Sequence, residues 1–139
     1  MRSYKDLIAW QKGMDRVEMT YELTKQFPAE ERYGLSAQLR RAAVSVISNV
    51  AEGYGRRTRR DYVHFLDMAA GSANEVETQL LVAGRLGYTD APAADGAISL
   101  VCEVQRILKG LISKLEASPK QDVRNQRGNG LDPGPATKT

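Results

Sequence analysis

With 139 residues, 42% of them hydrophobic and 27% charged, the chain is long enough for one hydrophobic core and too short for two. Its single cysteine, Cys102, excludes an internal disulfide framework and a cysteine-based zinc cage, and no apolar run approaches the roughly 18 residues of a membrane span. The net charge of +3 is unevenly placed: Tyr33 to Arg60 holds six arginines against one acid, Glu52, so the basic character belongs to one region.

The N-terminal stretch MRSYKDLIAWQKGMD is charged throughout and lacks the apolar centre of a signal peptide, which predicts a cytoplasmic protein. Tyr4 to Phe27 reads as a first helix, with Leu7, Trp10, Met14, Val17, Tyr21 and Thr24 on one face at three- and four-residue steps. Pro28 ends it, because the residue before a proline avoids the helical region. Ala29 to Gly34 forms a short connection.

A second helix is predicted from Leu35 or Ser36 to Ala51 or Gly53. The β-branched Val44, Val46, Ile47 and Val50 would suit a strand, but the pattern is helical. Leu35, Leu39, Ala42, Val46 and Val50 form one stripe, and Gln38, Arg41, Ser45, Ser48 and Glu52 form a polar one. A second apolar line, Ala43, Val44, Ile47 and Ala51, runs beside the first, as expected of a helix buried against something beyond its own bundle. Gly53-Tyr54-Gly55 is read as a glycine stop in the left-handed conformation.

Thr58 followed by Asp61 caps a third helix, which carries the cleanest repeat: Tyr62, Leu66, Ala69, Ala73, Val76, Leu80, Ala83 and Gly87. The small run Ala69 to Ala73 would let a neighbouring helix approach closely, and Gly87 is a second stop. Asp90 and Pro92 begin a fourth helix, with proline in a first turn where no amide hydrogen is missed. Ala97, Val101, Val104, Leu108, Leu111 and Leu115 continue the rhythm. After Ser118 the chain is polar, rich in glycine and proline, and aperiodic. The expected organisation is therefore an all-α, antiparallel up-down-up-down four-helix bundle over 1–118 with a disordered C-terminal tail over 119–139.

The run QLRRAAVSVISNVAEGYGR, followed by DYVHFLDMAAGSANEVETQLLVAGRLGY, carries a family resemblance, above all in Asn49 to Gly53 and in Gly71-Ser72 with Glu75 close behind. The chain resembles the four-helix-bundle proteins encoded in intervening sequences of bacterial large-subunit ribosomal RNA genes, a family that includes relatives of the accessory protein of diversity-generating retroelements. The resemblance spans about the first 115 residues. It implies a ring-like homopentamer with a central channel. In the accessory-protein branch it also implies binding to nucleic acid and to a reverse transcriptase.

The residues themselves show no catalytic constellation. Arg56 and Arg57 follow the C-terminal end of the second helix, where cations are favoured, whereas Arg59 and Arg60 sit in the first turn of the third, where they are not. Four arginines within five residues, beside Tyr54 and Tyr62, suit phosphate contacts with base stacking; solvated charges or bridges to a neighbouring subunit are the structural alternative. Arg40 and Arg41 point about 100° apart, so at least one is structural, and Arg41 joins the candidate contact set.

Asn49 and Glu52 are read as satisfying hydrogen bonds near the helix end. His64, the only histidine, has too few companions for a metal site and is assigned a surface hydrogen bond. Cys102 is expected to be a buried, unreactive thiol. The glycines follow no strand and form no phosphate loop. The resulting expectation is a non-enzymatic, homo-oligomeric protein without cofactor or metal and not bound to membrane. Arg41, Tyr54, Arg56, Arg57, Arg59 and Arg60 would contact RNA or DNA, or alternatively an acidic or nucleic-acid-processing protein partner.

Overall fold

A computed structural model of the chain describes residues 3–117; the tail expected over 119–139 lies outside them. The described residues are all-helical, without a strand: a 3₁₀ turn Tyr4–Asp6, α1 Ile8–Thr24, a 3₁₀ turn Ala29–Glu31, α2 Leu35–Tyr54, α3 Arg59–Arg85 and α4 Ala91–Ala117.

Local chemistry sets the boundaries. Ser3 and Asp6 form a capping box around the first turn, which closes it separately and leaves Leu7 extended and wholly buried. The first helix expected from Tyr4 is thereby split. Thr58 caps α3, its hydroxyl accepting from the Asp61 amide at 3.1 Å. Asp90 caps α4 by accepting from the Ala93 amide at 2.8 Å.

Gly87 ends α3 at φ 78°, with the Tyr88 amide donating to the Ala83 carbonyl, as the sequence predicts. The stop at the end of α2 differs from expectation. Gly55 keeps a right-handed φ of −81°, and Gly53 serves close packing instead. A Cβ at Gly53 would lie 2.8 Å from Phe65 Cβ and 3.2 Å from the Tyr62 carbonyl oxygen, so glycine lets α2 lie directly on α3.

The α2–α3 contact is the most extensive, followed by α3–α4, while α1 packs on α2 and α4. The core stripes of α3 and α4 are those read from the sequence. Tyr62, Leu66, Ala69, Ala73, Val76, Leu80 and Ala83 are fully enclosed, as are Val101, Val104, Leu108, Leu111 and Leu115 from α4.

The buried face of α1 is another matter. Trp10, Met14 and Val17 are only half-buried and Tyr21 is exposed; the enclosed residues are Ala9, Gly13, Arg16, Thr20, Leu23 and Thr24. The face is turned by about one residue because Gly13 brings α1 against α2, where a Cβ would stand 2.6 Å from Ile47 Cγ2. That contact also occupies the second apolar line of α2. Ile47 and Ala43 are buried within the subunit, leaving only Val44 of that line exposed. Arg16 is 1% exposed, and none of its three guanidinium nitrogens has a hydrogen-bond partner among the described residues. Burial pushes its guanidinium down to about 10, with the nearby Cys102 acting the other way.

Candidate nucleic-acid interface

The turn from α2 into α3 carries the four clustered arginines, and the structure separates them. Arg56 forms an ion pair with Glu52 one helical turn earlier, and its guanidinium lies 4.6 Å from the centre of the Phe65 ring. It is thus committed to the corner's own packing. Arg59 is half-buried and also engaged within the described residues. Arg57 and Arg60 are exposed and make no ion pair among the described residues. They leave two cations at one end of the bundle, Arg60 at the positive end of the α3 dipole.

Tyr54 corrects the expectation of a stacking platform. Its ring is buried and meets Tyr62 edge-on, with centroids 6.1 Å apart, and Tyr62 is completely enclosed. Both rings belong to the core seam between α2 and α3 because Gly53 draws the helices together there. Among the described residues of this turn no tyrosine is exposed; His64 lies on the surface with its ring edge-on to the half-buried Phe65 at 5.5 Å.

Arg41 does not join the corner, lying thirteen residues before Tyr54 in α2, or about 20 Å along the helix axis. It lines a separate polar groove of about 350 Å³ between α2 and α3, together with Gln38, Ser45, Glu75 and Gln79. Beside this groove the Ser45 and Ser72 hydroxyls hydrogen-bond to each other at 2.8 Å, and Asn49 donates to the Ser45 carbonyl at 2.9 Å, the structural role read for Asn49. Arg40 is tied to α1: it donates to Thr24 Oγ1 at 2.7 Å and lies 4.6 Å from the centre of the Tyr21 ring. The adjacent arginines therefore have different tasks, Arg40 structural and Arg41 open to solvent.

Sequence reading misses Glu75 and Gln79 as companions of Arg41. They are more than thirty positions away, and their approach depends on the register of α3 against α2. Among the described residues no group of three or more histidine, cysteine, aspartate or glutamate side chains is arranged to hold a metal, and no helix is long and apolar enough to cross a membrane.

Comparison with known proteins adds a family and a fold. The model of the family described as 23S rRNA-intervening sequence protein matches residues 5–110. Among solved structures, a Bacteroides thetaiotaomicron protein of unknown function from the S23 ribosomal protein family superposes with a TM-score of 0.69 at 20% identity, over 76% of this chain and 98% of that one. No curated protein matches the chain.

Proposed function

Since this chain belongs to the 23S rRNA-intervening sequence protein family, we propose that it is a non-enzymatic cytoplasmic bundle whose α2–α3 corner binds single-stranded nucleic acid through phosphate contacts. The observation that carries this reading is the pair Arg57 and Arg60, exposed and without ion pairs in a turn whose other arginines are engaged. Two exposed cations without an ion pair suit a polyanion, and with Tyr54 and Tyr62 buried the contact would be weakly sequence-selective.

The subunit is further read as an antiparallel up-down-up-down bundle assembling as a homopentamer. Ile47 is spent inside the subunit, so assembly would draw on the apolar side chains left exposed on α3 and just after it: Met68, Leu81, Val82 and Leu86. Repeating the corner around a ring raises the effective concentration of cations along one strand, so affinity should grow with strand length.

Fluorescence anisotropy with a labelled oligouridylate across a salt series tests the binding. Each neutralised phosphate on a single strand contributes a slope of about −0.7 in log affinity against log salt. Substituting Arg57→Gln and Arg60→Gln together should therefore flatten the slope by about 1.4 per engaged corner. An oligouridylate ignored at low salt would overturn the reading and favour an acidic protein partner. Light scattering giving a monomer mass would remove the ring.

A further inference from the structure

The groove holding Arg41 has two walls of opposite charge. From α2 come the Arg41 guanidinium, a donor, and the Gln38 amide; from α3 come the Glu75 carboxylate, an acceptor, and the Gln79 amide, which offers both. Arg41 and Glu75 line one cavity yet form no ion pair with each other or with any other described residue. Gln79 Oε1 is buried and has no hydrogen-bond partner among the described residues. A buried acceptor left without a partner is costly, and the exposed Arg41 and Glu75 leave a cation and an anion beside it for an incoming group. The groove floor is fixed, because Ser45 and Ser72 hold each other and Asn49 holds Ser45.

An occupant that serves these groups presents at least two adjacent donors to α3 and acceptors to α2. We propose that the groove receives the base of an unpaired guanosine. Its N1–H and N2 amino group donate to Glu75 and Gln79 Oε1, and its O6 and N7 accept from the Arg41 guanidinium, a bidentate pairing that suits arginine. Uracil offers α3 a single N3–H, and adenine and cytosine offer only one exocyclic amino group beside a ring acceptor that the Glu75 carboxylate repels. Each of these leaves an α3 acceptor unpaired. Bases splayed out of single strands are read in this way, on their exposed edges. This assignment rests on the single-strand reading above: the corner would hold phosphates while the groove, about 20 Å away along α2, selects the base.

The test compares the full chain's affinity for an oligouridylate and for the same strand carrying one central guanosine. One well-placed bidentate contact predicts tighter binding by roughly 5- to 150-fold for the guanosine strand. Inosine at that position, which lacks the N2 amino group, should return part of the gain. Glu75→Gln should abolish the preference while leaving oligouridylate binding at least as strong, since it removes a negative charge; lost packing would not produce that split. Equal affinity for the two strands, or a preference that survives Glu75→Gln, overturns the proposal. If neither strand binds, the corner reading fails on its own. The groove is then decided by guanosine monophosphate titrated alone, with backbone amide shifts at Ser45 and Gln79 expected and their absence fatal to it.

Discussion

The buried faces of α3 and α1 are built on different terms. That of α3 is built mainly of tyrosine, leucine, valine and alanine from Tyr62 to Ala83, each fully enclosed, with Ser72 buried beside them. That of α1 is Ala9, Gly13, Arg16, Thr20, Leu23 and Thr24: small, polar, and crossed by a guanidinium without a partner. Hydrophobic burial accounts for most of where α3 sits, with the Gly53 approach fixing its first turns. α1 is located by fit, through Gly13 against Ile47, and by polar ties, with Thr24 donating to the Thr20 carbonyl at 2.8 Å and accepting from Arg40. One helix is held by what it removes from water, the other by shape and hydrogen bonds, with a buried charge counting against it.

The largest expected effect lies on α3. Leu66→Ala or Leu80→Ala should each cost about 2–5 kcal/mol in denaturant unfolding, because the lost methylenes leave a cavity among enclosed neighbours. Arg16→Met on α1 should act in the opposite direction. It keeps the length and apolar stem and removes an uncompensated buried charge, so a gain of about 1–4 kcal/mol is expected. Its pH dependence has a definite sign. Above about 10 the folded protein releases the Arg16 proton that the unfolded chain still holds, so wild-type stability rises there and the gap to Arg16→Met narrows. A loss of stability in Arg16→Met at neutral pH would show that the guanidinium is compensated and would erase the contrast.

A smaller effect separates the two helices by one and the same substitution. Gly13→Ala places a Cβ 2.6 Å from Ile47 Cγ2 and should cost about 1–3 kcal/mol, whereas Gly71→Ala on α3 meets nothing within 4 Å. At Gly71 only the better helix propensity of alanine acts, and a gain of up to about 1 kcal/mol is expected. Opposite shifts in thermal melting would confirm that α1 is placed by close approach; equal shifts would refute it.

This contrast also decides what the sequence could tell. The stripes of α3 and α4 are legible because their buried positions are apolar at three- and four-residue steps, which is the property a periodicity reading detects. α1 misleads because Trp10, Met14, Val17 and Tyr21 look like a core face yet sit at its margin, while Gly13 and Thr20 are buried for their size and carry no hydrophobic signal. The same limit applies to the interface. The arginine cluster shows in the chain, but which members are free depends on Glu52 and Phe65 capturing Arg56. The Arg41 groove exists only through the register of two helices.

The last and smallest expected effect concerns the tie between the end of α3 and the connection that follows α1. Glu31 accepts the Leu35 amide at 2.9 Å and the Tyr88 hydroxyl at 2.8 Å, and these bonds, the amide first, hold its carboxyl below the usual value near 4.5. The same carboxylate raises the Tyr88 hydroxyl above its usual 10.0. A carboxyl depressed in the folded state adds stability that is present above its unfolded value and is lost as pH falls through the lowered one. A phenol raised in the folded state adds stability below its unfolded value, lost as pH climbs towards the raised one. The tie therefore acts fully between these limits, from above the ordinary carboxylate range to the ordinary phenol range. Tyr88→Phe should remove the alkaline limb and weaken the acid one, because Glu31 keeps the Leu35 amide. Glu31→Gln should flatten both. Melting temperatures across an acid titration distinguish the outcomes: an acid limb unchanged in Glu31→Gln would mean that other carboxylates set it and that this clamp contributes nothing to joining the two regions.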